Sequence, residues 1–377
     1  MQLSREGFTI DVVGRVLRKS VLNPALAIPL ALAIRLGFPG TLGSNSGETL
    51  RNLERARRWL YALAACSILL NTTDFLNRQL HNNWTAKSEW DWDNREIIVI
   101  TGGSSGIGAT LAQQLLDRNP NTRIVIVDFA PLGWEPPKGS RVHYYQCDLS
   151  DSSRLRAVCE KIREDVGHPT VLVNNAGICR GYTVCDGSYS DVEATIRTNL
   201  TAPFLLVKEF LPSMVQNNHG HIVNISSMSA FIPPSRLGDY AATKAGLMAM
   251  HEAEKKPLTL DKALQLELAN IHKAPKVRLS IGIFSFIRTP LFKGETRQNN
   301  FLFPLLDVNT VADSLADTIF GGYGRSIYLP GIMRYVAILR GGPEWLWRII
   351  RQETNKIALD FTGRQKVDPE TGRLSEA

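Results

Sequence analysis

Between about residue 95 and residue 330, short apolar runs alternate with segments of helical periodicity. Runs such as EIIVI, RIVIVD and TVLVNN are almost wholly apolar, whereas TLAQQLLDR and SRLRAVCEKIRE repeat apolar side chains at helical spacing. A strand with two apolar faces must be covered on both sides, and parallel strands joined through helices meet that need. The pattern therefore predicts an α/β chain with a doubly wound parallel sheet and right-handed crossovers.

The chain is long enough for one such domain with an extension at each end. Its 377 residues are 44% hydrophobic, which suits a domain of about 250 residues plus flanking segments. We expect an apolar and basic N-terminal extension at 1–94 and the doubly wound domain at 95–330. An amphipathic C-terminal extension with a disordered tail is expected at 331–377.

The net charge of +7 does not by itself indicate nucleic-acid binding. No dense Lys/Arg tract with interleaved aromatic residues occurs, so no nucleic-acid partner is predicted. Basic residues instead precede apolar segments, as Arg18 and Lys19 do for one run and Arg57 and Arg58 do for another. That placement favours contact with an anionic membrane surface.

The five cysteines are irregularly spaced and form neither a CxxC pair nor a Cys/His cluster. Neither a disulfide framework nor a metal site is therefore predicted. We interpret Cys179 as a small apolar filler, with a nucleophilic role as the alternative.

The N-terminal extension contains two apolar runs, VLNPALAIPLALAI at 21–34 and WLYALAACSILL at 59–70. Both are shorter than the roughly 20 apolar residues that a spanning helix needs. The first is a marginal span, a re-entrant hairpin or an interfacial segment, and the basic flanks of both runs favour the membrane; two ordinary buried helices are the alternative. No A-x-A-like cleavage site follows the first run, and Glu6 and Asp11 interrupt the basic stretch that a mitochondrial presequence would need.

The C-terminal segment MRYVAILRGGPEWLWRIIRQETNKIALDF interleaves apolar residues with arginines. Such a pattern suits a helix at a membrane interface, with tryptophans at the headgroup level. A pair of helices packed over the active site is the alternative, and the sequence leaves both open.

The motif TGGSSGIG at 101–108 follows a predicted strand and opens a predicted helix. Glycines let the chain turn tightly and bring backbone N–H groups and a helix N-terminus against a pyrophosphate. In this context the motif predicts a dinucleotide site. The candidate contacts in the turn are Gly102, Ser104, Ser105, Gly106, Ile107 and Gly108.

Asp128 ends the strand RIVIVD, twenty residues beyond Gly108. A carboxylate there can accept hydrogen bonds from both adenosine ribose hydroxyls, and it repels a 2′-phosphate. No Arg or Lys lies inside the glycine turn to attract that phosphate. NAD is therefore predicted over NADP as the cofactor.

Tyr240 and Lys244 are four residues apart, so they share one face of a helix, and Ser227 lies thirteen residues before the tyrosine. A phenol has a pKa near 10, which a nearby ammonium and a positive nicotinamide ring would both lower. Ser227 can hydrogen-bond a substrate oxygen as charge develops. The set predicts hydride transfer to or from a carbonyl.

Taken together, these motifs resemble the short-chain dehydrogenase/reductase family over roughly 95–330. The resemblance implies that Asn199 holds a water in a proton relay, Ser227 orients the substrate, Tyr240 is the acid/base, and Lys244 binds the nicotinamide ribose. It also implies cofactor contacts from Tyr240 and Lys244 and from a further set of residues. These are Asp148 at the adenine, Leu149 beside it, Asn175, Ala176 and Gly177 of NNAG, and Ile287 and Thr289 near the carboxamide.

The apolar leader with basic flanks further resembles the membrane-associated branch that acts on retinol, steroids or long-chain alcohols. This implies an NAD(P)-dependent oxidoreductase for a lipophilic alcohol, associated with the endoplasmic reticulum or lipid droplets, with a cytosolic catalytic domain. The family builds its main subunit interface on the tyrosine helix, which implies a homodimer. A membrane-associated nucleotide-binding protein with little turnover is the alternative.

Two departures from the family pattern stand out. Phe284 and Ser285 replace the usual Pro-Gly before the IxT element, so the loop over the nicotinamide can differ in shape. Residues 254–263 read as an insertion, and Pro257 would break the helix there. Either a real surface loop or a mis-joined exon boundary explains it.

Overall fold

A computed structural model describes residues 4–36, 47–86, 88–251, 263–291, 293–295, 299–339, 342–354, 358–360, 366–367 and 374–375. The chain divides into two compact units, Met1–Leu80 and His81–Ala377. The predicted insertion at 254–263 and its helix break at Pro257 lie almost entirely outside the described residues. The three-part division at 94 and 330 stays a prediction.

The first unit is helical. Its helices are α1 (Ile10–Lys19), α2 (Pro24–Leu36) and α3 (Gly47–His81), the last of which ends one residue beyond the unit. Ala27 and Ala31 of α2 and Ala64 of α3 are buried together, because small side chains let two helices approach closely. The Ser67 hydroxyl donates to the Leu22 carbonyl at 2.8 Å.

Most of α3 presents apolar side chains outward, including Trp59, Leu69 and Phe75. The part Glu54–His81 is long and apolar enough to cross a membrane, and α1 with Pro24–Ala33 would pass only as one span bent by 49°. The alternative of a buried helix at 59–70 is therefore wrong. The apolar run belongs to a longer helix than the run itself indicates.

The second unit contains the sheet. Its strands are β1 (Ile97–Thr101), β2 (Arg123–Asp128), β3 (Arg141–Gln146), β4 (Val171–Asn174), β5 (Gly220–Ser227), β6 (Val277–Phe284), β7 (Lys293–Glu295), β8 (Ser326–Leu329), β9 (Ala358–Asp360), β10 (Lys366–Val367) and β11 (Leu374–Ser375). Its remaining helices are α4 (Gly106–Arg118), α5 (Ser152–Asp165), α6 (Tyr189–Ile196), α7 (Ala202–Gln216), α8 (Gly238–His251), α9 (Ala263–Leu266), α10 (Val308–Gly321), α11 (Met333–Leu339) and α12 (Glu344–Thr354).

Seven strands form one parallel sheet in the order β3-β2-β1-β4-β5-β6-β8. One apolar core packs α5, α7 and α8 on one face, and a second core packs α4 and α10 on the other. The doubly wound α/β prediction is confirmed. Strand order reverses between β1 and β4, and at that point the carboxyl ends of the strands leave a crevice for a ligand.

Short antiparallel pairs lie outside this sheet. Strand β7 pairs with β9, and β10 pairs with β11. The tail that the sequence predicts to be disordered lies mostly outside the described residues, apart from β10 and β11.

A buried arginine ties the residues after α3 to the sheet. Arg278 of β6 is fully buried and donates to the carbonyls of Asn82 and Ala86 at 2.9 and 2.7 Å, and to the Thr85 hydroxyl at 2.9 Å. A buried guanidinium needs such acceptors, because an unpaired buried charge is strongly destabilising. The segment preceding the sheet is thereby part of the second unit.

Candidate active site

The glycine turn leaves β1 and enters α4 through positions that only glycine suits. Gly102 and Gly106 have φ angles of +66° and +57°. A Cβ on Gly108 would lie 2.3 Å from the Gly102 carbonyl oxygen and 2.7 Å from Asn175 Nδ2. A side chain at any of these three positions would therefore strain the backbone or clash with the turn.

The N-terminus of α4 is open to an anion. The side chain of the N-cap residue Ser105 makes no capping hydrogen bond, and the first turn of the helix contains no acidic residue. Unsatisfied N–H groups and the helix dipole favour a negative group at such an end. The residues present thus fit the pyrophosphate of a dinucleotide.

The NNAG segment braces the turn from the neighbouring strand β4. Asn175 Nδ2 donates to the Thr101 and Gly102 carbonyls at 2.9 and 3.1 Å, and the Thr101 hydroxyl accepts from the backbone N–H groups of Asn175 and Ala176, each at 3.0 Å. Gly177 follows, where a Cβ would lie 3.4 Å from Asn199 Oδ1 and 3.5 Å from Lys244 Nζ. The structure therefore brings NNAG between the glycine turn and the catalytic candidates.

Two acidic candidates lie at the ends of strands. Asp128 Oδ2 accepts from the Ser104 N–H at 2.8 Å, and its Oδ1 accepts from the Ala130 N–H at 3.1 Å. Asp148 Oδ1 accepts from the backbone N–H and the hydroxyl of Ser150 at 2.9 and 2.7 Å. Leu149 is buried in the apolar core beside α5. Each oxygen of Asp128 accepts one of these hydrogen bonds, so each retains a lone pair for a ligand.

Ser227, Tyr240 and Lys244 converge where β5 ends and α8 begins. Ser227 lies close enough to Tyr240 to lower the pKa of the phenol through hydrogen bonding, and Ser227 Oγ accepts the Ser229 N–H at 3.1 Å. Lys244 Nζ lies 5.6 Å from the Tyr240 ring centroid and donates to the Ile225 carbonyl at 2.8 Å. The structure thus brings together the three side chains in the arrangement that their spacing predicts.

The protein's own groups shift both pKa values against the charged forms. Burial raises the pKa of Tyr240 well above its usual value and Cys179 adds to the rise, while the hydrogen bond with Ser227 lowers it. Burial lowers the pKa of Lys244 to about 8. The expectation that the ammonium lowers the pKa of Tyr240 is therefore not met by the protein alone, because loss of solvent outweighs every nearby charge.

Asn199 sits in a π-helical turn, Arg197–Thr201, between α6 and α7. Its Nδ2 donates to the Ile178 carbonyl at 2.8 Å and to the Thr243 hydroxyl at 3.3 Å, and its Oδ1 accepts the Ile178 N–H at 2.8 Å. Both side-chain donor positions are engaged, so the side chain holds the loop after NNAG in place. Single π-turns within helices often mark functional positions.

The element after β6 approaches the glycine turn. Ile287 is buried and forms a parallel bridge with Leu306. Thr289 comes within 3.7 Å of where a Cβ of Gly106 would lie. Although Phe284 and Ser285 replace the expected Pro-Gly, the chain still carries both candidates to this end of the sheet.

Cys179 is buried, and burial raises the pKa of its thiol to about 12. A thiol with such a pKa stays protonated near neutral pH and is a poor nucleophile. This supports its interpretation as a filler. Among the described residues, no group of three or more His, Cys, Asp or Glu side chains could hold a metal ion.

Comparison with known proteins supports the same reading of the fold and site. The family model for short chain dehydrogenases matches residues 96–262. Dehydrogenase RED2 of Cochliobolus heterostrophus is 34% identical over 209 residues, which cover 55% of this chain and 74% of the relative. Epidermal retinol dehydrogenase 2 of Mus musculus is 30% identical over 287 residues, which cover 71% of this chain and 82% of the relative.

This chain belongs to the short-chain dehydrogenase/reductase family. Estradiol 17-beta-dehydrogenase 11 of Rattus norvegicus, 29% identical over 267 residues, covers 69% of this chain and 84% of the relative. With the retinol dehydrogenase it confirms the resemblance to the retinol and steroid dehydrogenase branch. A short-chain dehydrogenase from Sphingobium yanoikuyae in complex with NADPH superposes with a TM-score of 0.53 at 26% identity, over 68% of this chain and 97% of that chain. The protein is an oxidoreductase, and a nicotinamide cofactor is supported.

A cavity of about 930 Å³ lies beside the segment that follows Ser227 in this dehydrogenase. Its lining begins at Ser229 and Ala230 and continues through the segment 233–238 to α12. The lining consists of Tyr182, Thr183, Val184, Ser229, Ala230, Pro233, Pro234, Ser235, Arg236, Gly238, Ala241, Ala242, Ala245, Glu344, Trp347, Arg348, Arg351 and Gln352.

The C-terminal helices of the dehydrogenase pack beside this cavity. Trp347 joins an apolar cluster with Met228, Ile232 and Met333, which supports a helix pair close to the site. Trp345 on the same helix is exposed, so the other face of α12 is free for a membrane interface as well. The packing of Trp347 supports the alternative of helices close to the site, and the membrane-interface alternative stays a prediction.

Sequence reasoning missed two residues of the site. Ser229 is buried, and its hydroxyl has no partner among the described residues; its place two positions after Ser227 was the available signal. Trp134 donates from Nε1 to the Gly103 carbonyl at 2.9 Å. The sequence pointed to Trp134 only through the presence of a tryptophan in a short, proline-rich connection.

Proposed function

We propose that this dehydrogenase interconverts a lipophilic alcohol, similar to retinol, a steroid or a fatty alcohol, and its carbonyl, with NAD preferred over NADP. The observation that carries the proposal is the convergence of Ser227, Tyr240 and Lys244 where β5 ends and α8 begins. Lys244 Nζ lies 5.6 Å from the Tyr240 ring centroid, and the glycine turn is braced by Asn175. Each of these residues therefore has a role that its position supports.

A nicotinamide bound at this site would supply the hydride chemistry, as acceptor from the alcohol carbon or donor to the carbonyl carbon. In reduction, the Tyr240 hydroxyl gives its proton to the substrate oxygen as the hydride arrives at carbon. In oxidation, the tyrosinate takes the hydroxyl proton of the alcohol. The Ser227 hydroxyl donates a hydrogen bond to the same substrate oxygen, where negative charge develops.

The raised pKa of Tyr240 indicates which form of the phenol the protein alone favours. Because burial holds the phenol protonated, the residues of the protein alone prepare it as an acid for carbonyl reduction. Oxidation requires the phenolate, which the positive charge of an oxidised nicotinamide favours. Lys244 adds hydrogen-bond donors at the base of the site, next to Gly177 and Asn199.

The preference for NAD rests on charge around Asp128. Its carboxylate ends β2 beside the glycine turn, and no Lys or Arg occurs in the turn or in residues 129–137. A 2′-phosphate would meet a carboxylate there with no cation to balance it. The proposal of a lipophilic substrate rests on two observations. Alanine, proline and tryptophan side chains line part of the cavity beside Ser229, and two relatives are named for retinol and estradiol.

We also infer a membrane-associated protein, at the endoplasmic reticulum or lipid droplets, with the catalytic unit in the cytosol. The exposed apolar helix Glu54–His81 and the basic side chains before it support this. A homodimer through α8 remains part of the proposal. Carbonate extraction of the full chain should leave it in the membrane pellet; release into the supernatant would exclude a spanning helix.

The function is tested with the purified full chain, NAD and NADP, and a panel of retinol, steroid and long-chain alcohols. Tyr240→Phe should lower kcat by about 10²–10⁴-fold while NADH still binds. Tyr189→Phe is the control, because Tyr189 is 93% exposed and should leave the rate unchanged. Undiminished turnover in Tyr240→Phe would refute the mechanism. Nucleotide binding without turnover on the panel would favour the alternative of a nucleotide-binding protein.

A further inference from the structure

The connection between β2 and β3 contains no helix and folds back onto the glycine turn. Trp134 Nε1 donates to the Gly103 carbonyl at 2.9 Å, and the Gly133 N–H donates to the Ser104 carbonyl at 3.2 Å. In the other direction, the Ser104 hydroxyl donates to the Ala130 carbonyl at 2.9 Å. Three hydrogen bonds therefore join the connection to two consecutive residues of the turn.

One peptide group of the turn is held at both ends. The Gly103 carbonyl and the Ser104 N–H belong to the same planar unit, since a peptide bond fixes their relative orientation. The carbonyl accepts from Trp134, and the N–H donates to Asp128 Oδ2 at 2.8 Å. The orientation of this peptide therefore depends on the indole on one side and the carboxylate on the other.

Rotation of that peptide would be harmful to nucleotide binding. Glycine imposes little restriction on its own backbone, so Gly103 by itself does not prevent a peptide flip. A flipped peptide would turn its carbonyl oxygen towards the Asp128 carboxylate and remove the donor that Asp128 now accepts from. The turn would then present a partial negative charge where a cofactor brings phosphates and ribose hydroxyls.

The connection is close-packed against the turn and anchored behind it. A Cβ on Gly133 would lie 2.6 Å from the Ser104 carbonyl oxygen, so the backbones are at their closest approach. Leu132, Trp134 and Tyr144 pack against the apolar core of β1, β2 and α4. The Tyr144 hydroxyl donates to the Ala130 carbonyl at 2.9 Å, which fixes the start of the connection as well.

We propose that Trp134 is a positioning residue for the adenosine end of the cofactor. Through the Gly103 carbonyl it holds the glycine turn and Asp128 in the one arrangement that accepts a ribose with free hydroxyls. The connection 129–140 is then a wall of the nucleotide site. This inference rests on the proposed cofactor site, and it goes beyond it by assigning the wall and the residue that fixes it.

The test measures binding of NADH and NADPH by fluorescence titration, without turnover. Trp134→Phe keeps an aromatic ring but removes the N–H donor, so NADH affinity should fall about 3- to 10-fold, the range for one neutral hydrogen bond. The kcat at saturating NADH should stay within about twofold, because Trp134 does not contact the reacting groups. Gly133→Ala should weaken NADH binding in the same way by displacing the connection.

A matched control separates positioning from general loss of stability. Trp92 packs on the same apolar core and stacks on Trp90 with ring centroids 5.0 Å apart. Trp92→Phe should lower Tm about as much as Trp134→Phe and leave NADH affinity unchanged. In an Asp128→Ala background, Trp134→Phe should lose most of its effect, because the two residues hold the same peptide.

Wild-type NADH affinity in Trp134→Phe, equal losses in both tryptophan variants, or full additivity with Asp128→Ala would each overturn the inference. These outcomes differ from failure of the proposed function. If the wild-type chain bound neither NADH nor NADPH, the cofactor site itself would be wrong, and the role of Trp134 with it.

Discussion

The two halves of the active site satisfy their polar groups in different ways. In the nucleotide half, the turn, Asp128 and the β2–β3 connection hydrogen-bond one another, and the N-terminus of α4 is left open to a ligand. In the catalytic half, Lys244 and Tyr240 are held against their charged forms, and the Ser229 hydroxyl has no partner among the described residues. The nucleotide half is built in advance, whereas the catalytic half carries a free-energy cost that ligands can relieve.

The largest effect should come from disturbing the nucleotide half at its tightest point. Gly108→Ala places a Cβ 2.3 Å from the Gly102 carbonyl oxygen, so the turn must deform at a cost of about 3 kcal/mol, the upper end of the usual range for overpacking. Thermal unfolding and NADH titration should both show a large loss. Gly321→Ala in α10 is the control, because nothing lies within 4 Å of its Cβ position and alanine favours a helix. Equal behaviour of the two variants would show that the turn adapts easily.

The next effect lies in the catalytic half and depends on pH. The pKa of Lys244 is lowered to about 8 from 10.5, so below pH 8 the folded state carries the full cost of a buried ammonium. Stability then rises with pH between about 8 and 10.5, where the unfolded chain binds the additional proton. Relative to Lys244→Met, the wild type should gain up to about 3 kcal/mol over that window, measured by urea unfolding. Parallel pH profiles for the two proteins would contradict this cost.

The smallest expected effect is on stability, and it concerns the hydroxyl of Ser229 in the catalytic half. Its buried hydroxyl lacks a partner among the described residues, so Ser229→Ala should raise the free energy of unfolding by about 1 kcal/mol. The same change should raise KM for substrates whose second oxygen reaches this hydroxyl in the cavity. Ser226→Ala is the comparison, because Ser226 Oγ donates to the Lys244 carbonyl at 3.0 Å and its loss should destabilise. If Ser229→Ala destabilised the protein, the Ser229 hydroxyl would have a hydrogen-bond partner even without a ligand, and the contrast between the two halves would fail.

Much of the fold was predictable because its signals are local. Strands such as β1 and β2 are buried on both faces, and their continuous apolar runs indicate this directly. Tyr240 and Lys244 share a face of α8 because helical spacing requires it. The length of α3 was not predictable from its apolar run, since polar residues on both sides of the run also adopt the helix.

The sequence by itself determined the order of strands and helices, the glycine turn and the Ser–Tyr–Lys set, because periodicity and spacing act over a few residues. Only the tertiary structure decided that Trp134 holds the Gly103 carbonyl and that Arg278 binds the chain near Asn82. It also decided that Tyr240 is held protonated. Such properties depend on which distant surfaces meet and how much water they exclude, and no short stretch of sequence contains that information.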